Sequence, residues 1–302
     1  MEALKSILLC AAASMVLAGC IRDEIMPCPP LSIEITVADK NWSNIAEVEA
    51  AGFAVAKDEN LPFSEYVSTI TYELKNIATG EIVSAEPAYS ISHDGKSEVL
   101  TFPESLPFGI YEFSVWGNLE PGTKSDGLSD TIVLHQDAKG EAREVYHYTA
   151  VLNYDYDKAS YTAGLKRTVG CLLVDATNLP SRINFSKKEI SGVMSQVSKG
   201  LEYSEPVSIF TELDWEDAKS NMRTMTCLGP SPSRNGTEVT VRFYDMDSSS
   251  PSSPYEVSAD PVDVTVERNM LTVLKYDYDG DGFHISVLVN DKWETLHGMI
   301  VD

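Results

Sequence analysis

The sequence predicts an all-β protein made of two tandem β-sandwich domains. Short segments with apolar residues at every second position recur along the chain, and residues 31–37 show the clearest alternation. Clusters of Gly, Pro, Ser and Asp separate these segments, as in residues 103–107 and 118–129. Long stretches with helical periodicity are almost absent. Many short strands joined by turn clusters are typical of a β-sandwich.

The predicted strands follow one another closely through both halves of the chain. In the first half they span residues 31–37, 66–74, 81–85, 98–102, 109–116, 131–135 and 145–154. In the second half they span residues 161–176, 190–197, 207–211, 223–227, 238–244, 261–266, 271–276 and 283–289. Residues 41–59 predict a short helix or an insertion, because Trp42, Ile45 and Val48 have helical spacing that Gly52 interrupts.

The length of the chain suits two domains of ordinary size. Its 302 residues are enough for two hydrophobic cores. A polar stretch near Asp157 separates two β patterns, so we expect the domains to span residues 31–157 and 158–302. Tyr-Asp-Tyr-Asp occurs at 154–157 and again at 276–279, which is a weak indication of a repeated domain.

The N-terminus has the pattern of a bacterial lipoprotein signal. Lys5 precedes an apolar run over residues 7–17, which is shorter than the roughly 20 apolar residues that cross a bilayer. Leu-Ala-Gly-Cys at 17–20 predicts cleavage between Gly19 and Cys20, lipid attachment to the Cys20 thiol and acylation of its new amine. Residues 1–19 are therefore the expected signal peptide. Residues 20–30, which hold three prolines, are the expected lipidated tether.

The charge of the chain excludes two classes of partner. A formal net charge of −23 repels nucleic acid and anionic lipid headgroups. Attachment to a membrane must then come from the lipid on Cys20 rather than from a basic surface. Asp23 and Glu24 follow that cysteine, and acidic residues there resemble the surface-export signal of some outer-membrane lipoproteins. The expected location is the cell outer membrane, lipid-anchored and exposed at the surface.

Three cysteines remain after Cys10 leaves with the signal and Cys20 takes the lipid. An odd number cannot all pair within one chain. Cys171 lies in an apolar run, so a buried free thiol is its expected state. A bridge between Cys28 and Cys227 is compatible with an oxidising envelope, and the sequence does not require it.

The sequence contains no recognisable catalytic or cofactor-binding set. The five histidines have no metal-ligand spacing on one element; they are His93, His135, His147, His284 and His297. Neither a Gly-x-Ser-x-Gly elbow nor a phosphate-binding glycine loop occurs. We therefore expect no enzymatic activity and no cofactor.

Two short motifs suggest further sites. Asp277, Asp279 and Asp281, followed by Gly282, resemble the first half of a calcium-binding loop, but Leu288 stands where that loop has its glutamate. A hairpin turn is the favoured interpretation, because Asp and Gly suit tight turns. Asp-Thr-Ile at 130–132 fits a short O-glycosylation pattern that would modify Thr131.

Several stretches in order resemble the FimB-type fimbrial anchor lipoproteins, the fimbrillin-related accessory subunits of type V pili. The first combines Cys-Ile-Arg-Asp at 20–23 with Cys-Pro-Pro at 28–30. The second is Leu-Pro-Phe-Gly-Ile-Tyr-Glu-Phe at 106–113, which leads into Trp-Gly-Asn at 116–118. The third is Leu-Lys-Arg-Thr-Val-Gly at 165–170 with Leu-Pro at 179–180. The ordered resemblance extends from residue 20 to about residue 200 and is only general beyond.

The resemblance implies two β-sandwich domains of transthyretin-like topology and a non-enzymatic role. That role is to hold a fimbrium at the outer membrane and to end its growth at the base. Family stalk subunits lose their first strand to a protease, and a neighbour's strand then fills the groove by β-strand addition. An anchor that keeps residues 31–37 leaves its own groove closed. Lys40 and Lys57 follow this strand, so the sequence leaves its removal open.

Two alternatives stay open at this stage. One is a surface glycan-binding lipoprotein of the same β class, since the 14 Tyr and 4 Trp could include an exposed sugar platform. Core positions in strands are the more ordinary place for such residues. The other alternative is a stalk or tip adhesin subunit of the same pilus. A stalk subunit would have lost residues 20 to about 40 or beyond.

Overall fold

The computed structural model describes residues 28–122, 130–135, 140–215, 219–246, 255–289 and 292–297. The strands of the first half are β1 (Ser32–Val37), β2 (Thr69–Asn76), β3 (Ile82–Ser90), β4 (Glu98–Thr101), β5 (Gly109–Gly117), β6 (Thr131–Val133), β7 (Tyr146–Tyr154) and β8 (Ser160–Arg167). Those of the second half are β9 (Gly170–Thr177), β10 (Phe185–Ser198), β11 (Tyr203–Asp214), β12 (Met222–Leu228), β13 (Thr237–Asp245), β14 (Tyr255–Ser258), β15 (Val262–Val264), β16 (Leu271–Tyr278), β17 (Phe283–Val289) and β18 (Lys292–His297). Helix α1 (Ile45–Ala50) and a 3₁₀ turn (Phe63–Glu65) lie between β1 and β2.

The first sandwich is one seven-stranded sheet folded on itself. Its strand order is β3-β2-β5-β7-β8-β1-β4. Strands β7 and β8 share only two residue pairs, Tyr146 with Arg167 and His147 with Lys166. The sheet bends at that narrow junction, and the apolar faces of its two arms enclose one core. The core contains side chains from β1, β2, β5, β7 and β8, so burial of the alternating apolar positions is what holds the two arms together.

The second sandwich is formed by two separate sheets. One has the order β11-β10-β13-β14, with β15 also paired to β13 and β6 paired to β10. The other has the order β12-β9-β16-β17-β18 and includes a parallel pair, β9 with β16. Their inner faces enclose a second core that includes Leu172, Val241 and Phe243. The predicted all-β fold with two β-sandwich domains is confirmed.

The predicted long strand over residues 161–176 is two strands in different sandwiches. Strand β8 pairs with β1 and β7 in the first sandwich, whereas β9 belongs to the second. Between them, the backbone N–H and the hydroxyl of Thr168 both donate to the Val145 carbonyl, at 2.9 and 2.8 Å. The chain thus passes between sandwiches after Arg167, later in the sequence than the boundary predicted near Asp157. Apolar residues lie on both sides of this point, with Ala163 and Leu165 before it and the apolar run of residues 169–174 after it, so apolar content alone did not separate the two strands.

The cysteines pair differently from either expectation. Cys171 and Cys227 lie opposite each other on β9 and β12, with Cα atoms 4.2 Å apart, and form a disulfide. Cys171 is therefore not a free thiol, and Cys28, which is exposed, is not bonded to Cys227. The two bonded residues are 56 positions apart. Their proximity follows from the register of two strands, which a single sequence does not specify.

Two edge strands, β14 and β18, were not predicted. Both lie at the ends of their sheets, where one side of the strand has no neighbour and alternation is weak. Strand β18 reads Lys-Trp-Glu-Thr-Leu-His, with Trp293 and Leu296 exposed. Among the described residues, no helix has the length and apolar character needed to cross a membrane.

Candidate functional site

The chain enters the first sandwich at the end that lies away from the second domain. We call this end the distal pole and define it as residues 28–31, 76–82, 103–110 and 153–160. The pairings of Ser32 with Ser160 and of Gly109 with Tyr154 bring these segments together. The Tyr154 hydroxyl donates to the Pro29 carbonyl at 2.8 Å, which fixes the point of entry. Gly19 and Cys20, the predicted cleavage and lipidation site, lie outside the described residues.

Strand β1 lies in the middle of one arm of the first sandwich. It pairs in parallel with β8 over its whole length and antiparallel with β4 over Ser32 to Ile35. Leu31, Ile33, Ile35 and Val37 point into the core and are at most 5% exposed. Four such side chains contribute about 6–12 kcal/mol of burial as an upper estimate. Loss of β1 would therefore leave a long apolar groove between β4 and β8.

The segment after β1 forms hydrogen bonds with residues of both domains. The Asp39 carboxylate accepts hydrogen bonds from the Arg167 backbone N–H at 3.0 Å and from Arg268 Nη1 at 2.7 Å. Next to it, Lys40 Nζ donates to the Glu59 carbonyl at 2.5 Å. Lys57 is exposed in a stretch without regular structure. Of the two lysines considered as cleavage sites, Lys57 is thus the more accessible, and cleavage there would separate β1 from the rest.

Arg167 is the centre of the junction between the two sandwiches. It is 2% exposed and ends β8. Its guanidinium donates to Glu144 Oε1 at 2.7 Å, to Asn269 Oδ1 at 2.6 Å and to the Tyr146 hydroxyl at 2.8 Å. The Trp42 ring lies 3.9 Å from the guanidinium carbon. Because Asn269 belongs to the second sandwich and Glu144 and Tyr146 to the first, this buried cation joins the domains in one orientation.

His147 forms a second link across the junction. Its Nδ1 lies 3.0 Å from the Val115 carbonyl of β5, and its Nε2 lies 2.9 Å from the Lys199 carbonyl in the β10–β11 turn. The ring also stacks on Trp116, with centroids 3.8 Å apart. Burial lowers the pKa of His147 from its ordinary 6.5 to about 4, although the two carbonyl oxygens favour the protonated ring. A neutral ring donates to only one of the two oxygens.

The three aspartates of the calcium-like motif form a turn instead of converging on one point. Asp279 Oδ1 accepts the backbone N–H groups of Asp281 and Gly282 at 3.0 and 2.9 Å. Asp277 faces Asn178, whose side-chain amide donates to it at 2.6 Å. His284 contacts the other oxygen of Asp279 at 3.1 Å. In the part of the chain that the structure describes, no group of three His, Cys, Asp or Glu residues is arranged to hold a metal ion.

Thr131, the predicted glycosylation site, begins β6 and is half-buried. It pairs with Ser198 at the end of β10, so β6 from the first half of the chain completes a sheet of the second sandwich. The adjacent Lys199 N–H donates to the Asp130 carbonyl at 2.9 Å. A glycan on Thr131 would therefore project next to the β10–β11 turn. Modification of this residue stays a prediction.

A cleft of about 680 Å³, which no sequence motif predicted, opens on the second sandwich. Its walls come from segments far apart in the chain, near residues 44–47, 230–235, 263–272 and 287–296. They include Arg234, Asp263 and Glu294, and Tyr203 is the one aromatic side chain among the lining residues that the structure describes. The Tyr203 hydroxyl already donates to the Thr168 carbonyl at 2.7 Å. A single engaged tyrosine is a poor platform for a sugar ring.

A different surface carries an aromatic pair in which Trp293 is exposed and Phe53 is half-buried. Trp293 of β18 is 41% exposed, and its ring meets that of Phe53 edge to face, with centroids 5.5 Å apart. The Arg223 guanidinium lies 4.6 Å from the centre of the Phe53 ring. Exposed aromatic faces next to hydrogen-bond donors are a common composition for carbohydrate contacts.

Comparison with known proteins finds similarity in structure and not in sequence. No protein-family model matches the chain, and no curated protein matches it. A candidate adhesin from Bacteroides thetaiotaomicron matches at a TM-score of 0.56 with 11% identity, covering 90% of this chain and 100% of that one. A candidate polysaccharide-binding protein from the same species matches at 0.52 with 12% identity, covering 89% and 98%. The fimbrial anchor protein Mfa2 from Porphyromonas gingivalis matches at 0.50 with 12% identity, covering 89% and 100%. The fold extends over nearly the whole of each chain.

Proposed function

We propose that this chain is a lipid-anchored fimbrial accessory protein that holds a fimbrium at the outer-membrane surface and ends its growth. The observation that carries the proposal is the position of β1. This strand follows the predicted lipid carrier Cys20 within one short tether, and it fills its own groove between β4 and β8. The similarity of the fold to that of a fimbrial anchor protein supports the same role.

The geometry of β1 suits a mechanical link. Tension between the lipid and the polymer would pull β1 from its N-terminal end, along the strand axis. Six residue pairs with β8 and four with β4 would then resist together, in shear, instead of opening one after another. From β8 the tension passes directly to Arg167 and so to the second sandwich. The partner fimbrial subunit would contact the rest of the protein by β-strand addition.

A pair of cysteine variants tests this proposal. Cys20→Ala should release the protein, and any attached fimbriae, from the outer membrane into the medium. Cys28→Ala is the matched control, because this exposed thiol lies on the same tether and forms no disulfide in the structure. Mass analysis of the mature wild-type protein should show a diacylated, N-acylated Cys20 still joined to β1. Fimbriae of normal length that stay attached in Cys20→Ala would contradict the anchor role.

The mass analysis and one binding experiment separate the rival functions. A mature N-terminus at or beyond residue 40 would indicate a stalk or tip subunit that has lost β1. Retention on a polysaccharide affinity gel, abolished by Trp293→Ala, would favour the glycan-binding alternative. The ring pair of half-buried Phe53 and exposed Trp293 is the observation behind this second candidate.

A further inference from the structure

The distal pole carries an unusual share of exposed apolar side chains. Five large ones lie there, each between 39% and 49% exposed: Ile77, Ile82, Phe108, Ile110 and Tyr156. They come from three turns and loops that meet at one end of the sandwich. The Ile77 N–H donates to the Ile110 carbonyl at 3.0 Å, and the Phe108 ring lies 4.9 Å from that of Tyr154. A cluster of this size on a polar protein indicates a contact surface.

The length of the tether indicates what this surface meets. Cys28 lies eight positions after Cys20, so a fully extended chain spans at most about 28 Å between them. Cys28 stands at the distal pole next to Pro29, which Tyr154 fixes. If Cys20 carries lipid, as the proposed function requires, the pole is the part of the protein nearest the bilayer. No other described end of the molecule has this constraint.

We propose that the distal pole rests on the bilayer, with its aliphatic and aromatic side chains inserted at the level of the lipid headgroups. Such insertion reaches about 5–10 Å into the boundary between headgroups and acyl chains. Tyr156 has the amphipathic ring that favours this depth. The pole would fix the orientation of β1 above the membrane, which a single lipid attachment point would not do.

The charges of the pole limit the kind of lipid. Within the pole, four carboxylates, at Glu81, Glu104, Asp155 and Asp157, stand against one lysine, Lys158. This excess of negative charge opposes anionic headgroups and leaves apolar insertion as the driving force. The expected partner surface is therefore one of zwitterionic lipid, such as phosphatidylcholine or phosphatidylethanolamine.

Depth-dependent quenching tests the proposal on the lipidated full chain in phosphatidylcholine vesicles. In a Cys28→Ser background, a fluorescent label on Ile77→Cys should be quenched by nitroxide lipids at least about twofold more than one on Met246→Cys. Met246 is the control because it lies on the second sandwich and is similarly exposed. Adding Phe108→Gln and Ile110→Gln should abolish the difference. The matched pair Phe210→Gln and Leu213→Gln on β11, with similar exposure, should not.

The outcomes separate this inference from the proposed function. If the protein fails to float with the vesicles, lipid anchoring is wrong and the inference falls with it. If it floats and both labels are quenched equally, the anchor stands and the membrane-resting pole is wrong. If the Ile77 label becomes shielded only when purified fimbrial subunits are added, the pole is a protein-binding surface and the inference is overturned. Stronger quenching with phosphatidylglycerol than with phosphatidylcholine would contradict the charge argument.

Discussion

The two ends of the first sandwich differ in the chemistry and the burial of their side chains. At the junction end, Arg167 makes three side-chain hydrogen bonds and is almost completely buried. At the distal pole, apolar side chains such as Phe108 and Ile110 are about half exposed. The first end is built from polar groups that fit one intramolecular partner. The second end is built from apolar groups that fit a surface without requiring a particular register.

This difference indicates a division of roles along the axis of β8. The strand begins beside the distal pole at Ser160 and ends in the junction at Arg167. A hydrogen-bonded, buried cation resists rotation of one domain against the other, because each bond has a preferred direction. Apolar contact is not directional, so it tolerates sliding over a fluid surface. Three predictions test this comparison.

The largest expected effect is at the junction. Arg167→Ala should destabilise the protein by about 3 kcal/mol, because it leaves Glu144, Asn269 and the Tyr146 hydroxyl without their shared donor. Urea unfolding followed by fluorescence measures the change. Arg242→Ala is the control: its 3.7 Å contact with Glu256 joins two exposed side chains, so its loss should cost less than about 0.5 kcal/mol. Equal effects of the two substitutions would show that the junction network does not stabilise the fold.

The second effect depends on pH. Because His147 has a folded-state pKa of about 4, the unfolded chain binds an extra proton between that value and 6.5. Stability should therefore fall as pH decreases through this window, by about 1.4 kcal/mol per unit at its steepest, with no further loss from this group below pH 4. His147→Gln should remove this part of the slope. Thermal unfolding at several pH values measures it, and identical slopes in both proteins would rule out the assignment.

The smallest expected effect is at the distal pole. Ile110→Gln should change the free energy of unfolding by less than about 0.5 kcal/mol, because a half-exposed side chain buries little area on folding. Chemical unfolding in the absence of lipid makes the measurement. A loss of 2 kcal/mol or more would mean that Ile110 belongs to the core and that the pole is not a free surface. Ile33→Ala in β1 supplies the contrast, since truncating this core side chain should cost about 2–5 kcal/mol.

Strand positions could largely be predicted because they depend on local chemistry. Alternation at residues 31–37 and turn residues at 78–80 are each visible within a few positions, and both features are present in the structure as β1 and the β2–β3 hairpin. The helical spacing of Trp42, Ile45 and Val48 likewise corresponds to α1, whose buried residue is Val48. In each case the side-chain pattern has the period of the element that buries it.

Pairing between distant strands could not be predicted in the same way. The apolar residues of 161–176 are compatible with one strand or two. The change of sandwich is visible only in the pairings, because β8 pairs with β1 and β7 whereas β9 pairs with β12 and β16. The Cys171–Cys227 bond and the Arg167–Asn269 contact also join residues that are distant in the sequence. The residues involved are ordinary in sequence, and their importance comes from register and burial.

The sequence by itself determined the class of the molecule. Period-two apolar segments require a β core, the charge of −23 opposes nucleic acid, and Cys20 behind a short apolar run predicts a lipid anchor. Only the tertiary structure decided where those features stand relative to one another. It placed β1 between β4 and β8, Arg167 between the sandwiches and five apolar side chains at the pole where the tether ends. The physical reason is that side-chain pattern depends on neighbours in the chain, whereas a groove, a junction and a surface depend on neighbours in space.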